Sequence, residues 1–530
     1  MNKYIKVTIL SLAILITISC TDNFEKLNIN SNAPTLDDPA VATAAADALF
    51  SAAESNGLML SFEFQRVQSL YADLYSQYFA TSINYFASDR YQVNQAWLNA
   101  GWNLLYPRDI NNLVTIIKSP NATPNQKLVA RVWKVFLFHR MVDFYGDIPY
   151  FNAAEPDKKE VFDSQQAIYD DMFKELKAAA DGLDVTVLSY GTKDVIFGAG
   201  NGFNNSSTVV NNTPRWKAFT NTLRMRLAMR ISKADPVRAK KEFEEAMTSG
   251  GMSSNSELAQ ARVNALRPNA LNQITDFNEF RMGATSESIL TGYEDPRLPV
   301  FFRPAVGGTG TSAAYVGKYN GIQNGLNPSD LTQPENLASN NSNVGVIFGT
   351  ANSFTNPRIV LTYAEHCFLM AEAALNGWAV TGSAKEWYER GVTASMQQHV
   401  AGVATPAITA YLNSTKVPST PVGLSRPTST LPPRFSSTVS EQREQIAIQK
   451  WIAVYPDGFE GWSEFRRTGF PRLYTPANYD PSSDVKVGDF IQRLPYTDDM
   501  RNRNVEGVKA AENRMGGAGQ SVKLWFAGGK

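Results

Sequence analysis

The sequence contains little of what metal sites and disulfide frameworks require. Only two cysteines and three histidines occur among 530 residues, too few for a disulfide scaffold or a His-rich metal centre. Neither sign of charge is in excess, because 50 basic side chains balance 50 acidic ones. Nucleic-acid binders concentrate Lys and Arg on one face, so we expect no nucleic-acid partner.

Catalytic signatures are missing as well. The chain has no H-E-x-x-H motif, no Walker loop and no G-x-S-x-G elbow. Glu460 and Glu464 flank Trp462, and two neighbouring carboxylates could serve a glycoside hydrolase. Arg466 and Arg467 follow directly and favour structural ion pairs instead. We therefore expect no enzymatic activity, no metal and no cofactor, with a glycosidase as the alternative.

The first 19 residues have the organisation of a signal peptide. Lys3 and Lys6 form a basic start, residues 7–18 carry no charge, and a small residue precedes Cys20. Twelve helical residues span about 18 Å, well short of the roughly 30 Å hydrocarbon core of a membrane. No other apolar run reaches 18 residues, so we expect the mature chain to lack a spanning helix.

Residues 16–20 resemble a bacterial lipobox, in which the cysteine becomes the lipidated first residue of the mature protein. This resemblance predicts a lipid on Cys20 and makes the polar residues 20–38 a tether between the membrane and the body. The alternative is an ordinary secretory signal with an incidental cysteine. If Cys20 is acylated, Cys367 has no disulfide partner and is expected to be buried.

Most of the remaining chain shows helical periodicity. Apolar residues recur at three- and four-residue spacing, and caps or prolines mark several predicted helix starts, among them Thr123-Pro124 and Thr438, which has capping-box spacing to Glu441. The predicted helical segments are 39–120 in large part, 124–145, 164–183, 216–231, 236–247, 358–377, 383–399 and 439–454.

These segments predict a mainly α fold. The pair 358–377 and 383–399 places small residues opposite large ones across a short turn, which resembles a tetratricopeptide helix pair. Residues 292–356 and 403–435 are rich in Gly, Asn, Ser, Thr or Pro and are expected to be loops. We predict one domain over 39–530, a tetratricopeptide-like helical scaffold with long loop insertions.

Several short motifs go beyond helical patterning. They are H-R-M-V-D-F-Y-G-D-I-P-Y at 139–150, Y-A-E at 363–365, A-E-A-A at 371–374, Q-K-W-I-A at 449–453, G-F-E-G-W at 458–462 and F-R-R-T-G at 465–469. Their succession, together with the lipobox-like start, resembles the SusD/RagB family of nutrient-binding outer-membrane lipoproteins.

This resemblance implies a tetratricopeptide-like fold and a lipid-anchored position on the outer membrane, facing the cell exterior. It also implies a SusC-like TonB-dependent transporter as partner, and an oligosaccharide that is bound and handed over without being cleaved. The alternatives are a peptide ligand on the same type of transporter, a structural subunit that binds nothing itself, and the surface glycoside hydrolase mentioned above.

Sugar binding needs aromatic rings for the pyranose faces and polar side chains for the hydroxyls, so aromatic residues on loops are the informative ones. Two clusters meet this requirement, although each could instead anchor its loop by hydrophobic contact. The predicted ligand-binding residues are Asn84, Tyr85, Phe86, Asp89, Arg90 and Tyr91 in the first cluster, and Tyr315, Tyr319 and Asn320 in the second.

Overall fold

The computed structural model describes residues 39–58, 63–155, 158, 160–198, 210–308 and 313–530. The predicted signal peptide, Cys20 and the tether 20–38 lie outside these residues. The α-helices are α1 Pro39–Gly57, α2 Ala72–Tyr75, α3 Gln95–Leu105, α4 Pro107–Lys118, α5 Pro124–Tyr145, α6 Gln165–Gly182, α7 Thr213–Arg230, α8 Pro236–Ser249, α9 Ala270–Ile274, α10 Ala284–Gly292, α11 Leu298–Phe301, α12 Tyr363–Leu375, α13 Ala384–His399, α14 Thr405–Leu412, α15 Val439–Ala453, α16 Gly458–Thr468, α17 Asp498–Arg503 and α18 Val505–Met515.

Helix α5 begins and ends as the sequence predicts. The Thr123 hydroxyl accepts a hydrogen bond from the Gln126 amide at 3.2 Å, and the Gln126 side chain accepts one from the Thr123 amide at 3.0 Å. This capping box satisfies two backbone donors that the helix itself cannot pair. At the other end, Gly146 has φ +88°, a conformation that favours glycine and turns the chain out of the helix.

The prediction of a capping box at Thr438 is wrong. Helix α15 starts at Val439 as expected, but the Thr438 side chain makes no cap hydrogen bond. The Glu441 carboxylate accepts instead from the Ser436 hydroxyl, which lies before the cap position. The spacing of the motif is present, but a competing local partner occupies the glutamate.

Consecutive helices pack as pairs: α5 with α6, α7 with α8, and α12 with α13. The last pair shows why small residues are needed between them. A Cβ atom on Gly391 of α13 would lie 2.8 Å from Cζ of the buried Phe368 ring on α12, so only glycine permits this approach. The predicted tetratricopeptide-like helix pairing is confirmed.

Three short antiparallel strand pairs accompany the helices in the described residues: β1 Phe79–Thr81 with β5 Phe280–Met282, β2 Ile148–Pro149 with β3 Phe162–Asp163, and β4 Ala259–Ala261 with β6 Arg358–Leu361. In the first pair, Thr81 lies opposite Phe280. The pairing brings the loop after β1 beside the segment that precedes β5.

The two predicted loop insertions contain more regular structure than expected. Residues 403–435 include α14, whose Tyr411 is buried and donates a hydrogen bond to Asp295 Oδ2 at 2.7 Å. Residues 292–356 include α11 and several 3-10 turns. These segments are ordered because a buried ion pair anchors them, which their composition does not reveal. The fully buried Arg297 donates to both carboxylate oxygens of Asp295.

Cys367 is buried, as predicted, and forms no disulfide within the described part of the chain. Among the described helices, none combines the length and the apolar character that a membrane crossing requires.

Candidate functional site

A cavity of about 400 Å³ opens where the long loop insertion meets α10 and the C-terminal part of the chain. Its wall is dominated by acids and amides, with a few apolar residues such as Leu326, Val422 and Leu424. The polar lining residues are Glu287, Tyr315, Asn320, Gln323, Asp330, Gln333, Glu335, Asn336, Asn341 and Asn478.

Two of the predicted ligand-binding residues, Tyr315 and Asn320, line this cavity together. The Asn320 side-chain amide donates to the carbonyl oxygens of Tyr315, at 3.0 Å, and Asn340, at 2.9 Å. These hydrogen bonds fold the segment between Tyr315 and Asn320 into a fixed turn. Tyr319 lies in the same turn, half-buried and packed against the main core, and does not line the cavity.

Tyr85 is the most exposed aromatic residue of the first predicted cluster, with 62% of its surface accessible. Its hydroxyl donates to Glu279 Oε1 at 2.7 Å, and this hydrogen bond raises the pKa of Tyr85 to about 12. The ring packs edge-on against Phe86, which in turn stacks on Phe280. Asn84, next to Tyr85, is also exposed.

The other residues of this cluster are less accessible. Phe86, Asp89 and Tyr91 are buried, and Asp89 accepts hydrogen bonds from both the amide and the hydroxyl of Thr81. These three buried side chains anchor the loop that carries Asn84 and Tyr85 to the body of the protein.

Arg90 is half-buried and donates to the carbonyl oxygen of Leu326 at 3.0 Å. Because Leu326 lines the cavity, this hydrogen bond ties the first cluster to the wall of the second.

The sequence did not reveal the acidic part of the cavity. Glu287 comes from α10, Asp330 and Glu335 come from the long loop, and Asn478 comes from the segment after α16. Asn478 donates to Asp330 Oδ2 at 2.8 Å, a contact across almost 150 residues of sequence. The abundance of Asn and Gln between 320 and 341 is the one feature of the sequence that could have indicated this polar wall. The approach of Glu287, Asp330 and Asn478 depends on tertiary packing and has no local signal.

A second cavity of about 370 Å³ shares Asn341 with the first and has the opposite charge. Arg281 and Arg303 line it. Burial, with Arg303 nearby, lowers the pKa of Arg281 to about 10, and its guanidinium donates to the Ala338 carbonyl oxygen at 2.7 Å. No group of His, Cys, Asp and Glu in the described part of the chain is arranged to hold a metal ion.

Comparison with protein families assigns the chain to a family. Residues 27–527 match the family model described as SusD-like, Susd and RagB outer membrane lipoprotein. The chain belongs to the SusD/RagB family.

Solved structures of SusD homologues support the same fold. A chitin-binding SusD homologue from Flavobacterium johnsoniae is 27% identical, with a TM-score of 0.80 over 91% of this chain and 98% of the other. A SusD homologue from Bacteroides vulgatus is 30% identical, with a TM-score of 0.75 over 88% and 93%. A further structure, named a chitin-binding protein, is 26% identical with a TM-score of 0.74, covering 91% of this chain and 99% of its own. Comparison with curated proteins found no match.

In this SusD/RagB protein several motif residues join Arg226 and Arg230 of α7 in a buried ionic cluster. Glu460 and Glu464 are both buried, and Arg230 donates to each of them. Lys450 lies 3.0 Å from Glu460 and 3.3 Å from Glu464. The whole cluster comprises Arg226, Arg230, Lys450 and Arg467 with Asp143, Glu365, Glu372, Glu460 and Glu464.

The electrostatics of this cluster hold the carboxylates in the charged form. Burial by itself would raise the pKa of Glu464, but Arg467, Lys450 and Arg230 outweigh it and lower the pKa to about 2. A general acid needs a carboxyl group that keeps its proton near neutral pH. Glu464 is instead charged near neutral pH, as the ion-pair interpretation of the sequence predicts.

Proposed function

We propose that this protein is a cell-surface lipoprotein that binds a nutrient oligosaccharide and delivers it to a SusC-like TonB-dependent transporter in the outer membrane. The observation that carries the proposal is the cavity beside Tyr315 and Asn320, tied through Arg90 to the loop of the exposed Tyr85. The family description, an outer membrane lipoprotein, supports the location.

The chemistry of these residues suits a carbohydrate. The Tyr85 and Tyr315 rings offer faces on which a pyranose can stack, and Asn320 offers an amide oxygen to a hydroxyl. Asn84, Arg90 and Tyr319 lie on the same loops outside the cavity lining and are proposed as contacts of sugar units that extend beyond the cavity. Phe86, Asp89 and Tyr91 were predicted as direct contacts, but their burial makes them supports of the loop in this proposal.

A fragment of chitin is the first ligand to test. Two of the similar solved structures are named chitin-binding, at 27% and 26% identity. Isothermal titration with an N-acetylglucosamine hexamer should give saturable binding that Tyr315→Ala weakens and Tyr363→Ala, a half-buried tyrosine on α12, leaves unchanged. A panel of other oligosaccharides and peptides would identify a different ligand. No binding across the whole panel would favour a purely structural subunit.

The proposal includes no turnover of the ligand. The only carboxylate pair that the sequence offered as a glycosidase centre is buried in ion pairs in the described structure. Incubation of the protein with its bound oligosaccharide should leave the oligosaccharide length unchanged by chromatography. Shortened products that disappear in Glu464→Gln would overturn this part of the proposal.

Attachment and delivery need separate experiments. Labelling of growing cells with a radioactive fatty acid should mark the native protein and fail in Cys20→Ala, since the lipid is proposed on that thiol. Affinity purification from membranes should recover a TonB-dependent transporter with the native protein. Protease added to intact cells should digest the protein if the body faces the exterior.

A further inference from the structure

The cavity beside Tyr315 has a strongly one-sided charge. Three of its lining residues are carboxylic acids, Glu287, Asp330 and Glu335, and none of its described lining residues is Lys, Arg or His. The three acids are not arranged as metal ligands. An excess of negative charge in a concave site attracts cations and repels anions.

The amide groups of the cavity add to this asymmetry. Both side-chain N–H groups of Asn320 donate to backbone carbonyl oxygens, and so do both of Asn341, to Glu335 at 2.8 Å and Leu337 at 2.9 Å. Carbonyl oxygens accept and never donate, so these contacts fix which end of each amide is the nitrogen. Asn320 and Asn341 can therefore interact with a ligand only through their side-chain oxygens, which are hydrogen-bond acceptors.

Three more amides follow the same pattern. Asn478 donates to the Gly325 carbonyl oxygen and to Asp330 Oδ2, Asn336 donates to the Asp330 carbonyl oxygen, and Gln323 donates to the Thr475 carbonyl oxygen. The cavity therefore presents many hydrogen-bond acceptors and few side-chain donors. A matching ligand has to bring the donors.

Two acceptors stand out by their environment. Asn341 Oδ1 is buried and has no hydrogen-bond partner among the described residues, which is costly unless a ligand or water supplies a donor. Glu287 accepts from the Gly321 amide at 2.7 Å through Oε2 only. Burial raises the pKa of Glu287 to about 7, so this acid is partly protonated near neutral pH before a ligand binds, and a bound cation would favour its charged form.

We infer that this cavity binds the free, protonated amine of an amino sugar, in preference to an N-acetylated, neutral or acidic sugar of the same length. An ammonium group has three donors and a positive charge, which complements acceptors and carboxylates, and Tyr315 supplies a face for the sugar ring. The inference rests on the proposed oligosaccharide-binding function and specifies the ligand of the same site.

Four hexamers measured by isothermal titration at pH 6.5 test this inference: glucosamine, N-acetylglucosamine, glucose and galacturonate. The glucosamine hexamer should bind most tightly and the galacturonate hexamer most weakly. Raising the salt concentration should weaken glucosamine binding and leave glucose binding almost unchanged, because only the former depends on charge. Equal affinity for the glucosamine and glucose hexamers would overturn the inference and leave the proposed function standing. Failure of all four hexamers would overturn the inference, and the proposed function would then be decided by the wider panel of oligosaccharides and peptides.

Variants locate the effect in the cavity. Glu287→Gln and Glu335→Gln keep the size of each side chain and remove its charge, and together they should weaken glucosamine binding by at least about tenfold. Binding of the N-acetylglucosamine hexamer should change much less. Glu389→Gln, on α13 and outside the cavity, is the matched control and should change neither. A glucosamine preference that survives the double variant would place the cation elsewhere and overturn the inference. A lysine hexapeptide bound with the same salt and variant dependence would overturn the assignment to a sugar.

Discussion

Arg226 and Glu365 face each other as a buried bidentate pair, with Nε 2.7 Å from Oε1 and Nη2 2.6 Å from Oε2. Both side chains are almost fully excluded from solvent. Arg226 comes from α7 and Glu365 from α12, so the pair joins two helices from separate helix pairs. The Y-A-E motif thus has a structural role at the centre of the scaffold.

Arg226→Met should therefore destabilise the protein strongly. Removal of Arg226 takes away the bidentate partner of the buried Glu365 carboxylate, which keeps only the longer contact to Lys450 at 3.7 Å. Loss of one partner from a buried pair costs about 3–5 kcal/mol. Urea unfolding should show a lower midpoint. Lys385→Met breaks the exposed Lys385–Glu389 pair and should cost less than about 1 kcal/mol. Similar losses in the two variants would contradict a special role for the buried pair.

Much of the scaffold could be predicted because its signals are local. The α5 capping box is complete within four residues, from Thr123 to Gln126, and Gly146 marks the helix end directly. The family resemblance could likewise be recognised from the order of the short motifs along the chain. The helix within 403–435 was missed because α14 is short and is held by a distant contact, Tyr411 to Asp295.

The candidate site was predictable only in part, because local signals indicate single residues and not the distant contacts that bring them together. Aromatic residues on loops indicated Tyr85 and Tyr315, which are both accessible. Nothing local indicated that Asp89 would be buried beneath Thr81, or that Glu287 would face Asn478 across one cavity. Those relationships depend on strand pairing and loop packing between distant segments.

Gly391→Val should destabilise the α12–α13 pair. A Cβ at this position would lie 2.8 Å from Phe368 Cζ, and overpacking of a filled core costs about 1–3 kcal/mol. The measurement is the thermal midpoint, and the double variant Gly391→Val with Phe368→Ala should relieve the clash. Gln397→Val, on the exposed face of α13, is the control and should have a small effect. An unchanged midpoint in Gly391→Val would show that the helices can separate freely.

The buried histidine His366 should contribute to acid sensitivity. Burial, with Arg390 nearby, lowers its pKa from 6.5 to about 4. Between these values the unfolded chain binds a proton at this site and the folded protein does not, so the free energy of unfolding falls as the pH drops from about 6.5 to about 4. The contribution is at most about 1.4 kcal/mol per pH unit.

His366→Gln should flatten this slope. Urea titrations of the native protein and the variant at pH 7, 6, 5 and 4 measure it, and their difference removes the contribution of other titrating groups. The difference should grow as the pH falls through this range and level off below it. A difference that does not depend on pH would mean that His366 titrates alike in the folded and unfolded states.

Tyr85 should contribute to ligand binding through its ring and not through its hydroxyl. The hydroxyl is already engaged with Glu279 Oε1 at 2.7 Å, whereas the ring is exposed. Tyr85→Ala should weaken the affinity for the bound oligosaccharide about two- to tenfold, the range of one aromatic stacking contact. Tyr85→Phe keeps the ring and should retain nearly native affinity by isothermal titration. Phe354→Ala removes another exposed aromatic ring outside the site and serves as the control. If Tyr85→Phe lost as much affinity as Tyr85→Ala, the hydroxyl and its hydrogen bond to Glu279 would be the important feature, and stacking would be excluded as the contribution of this residue.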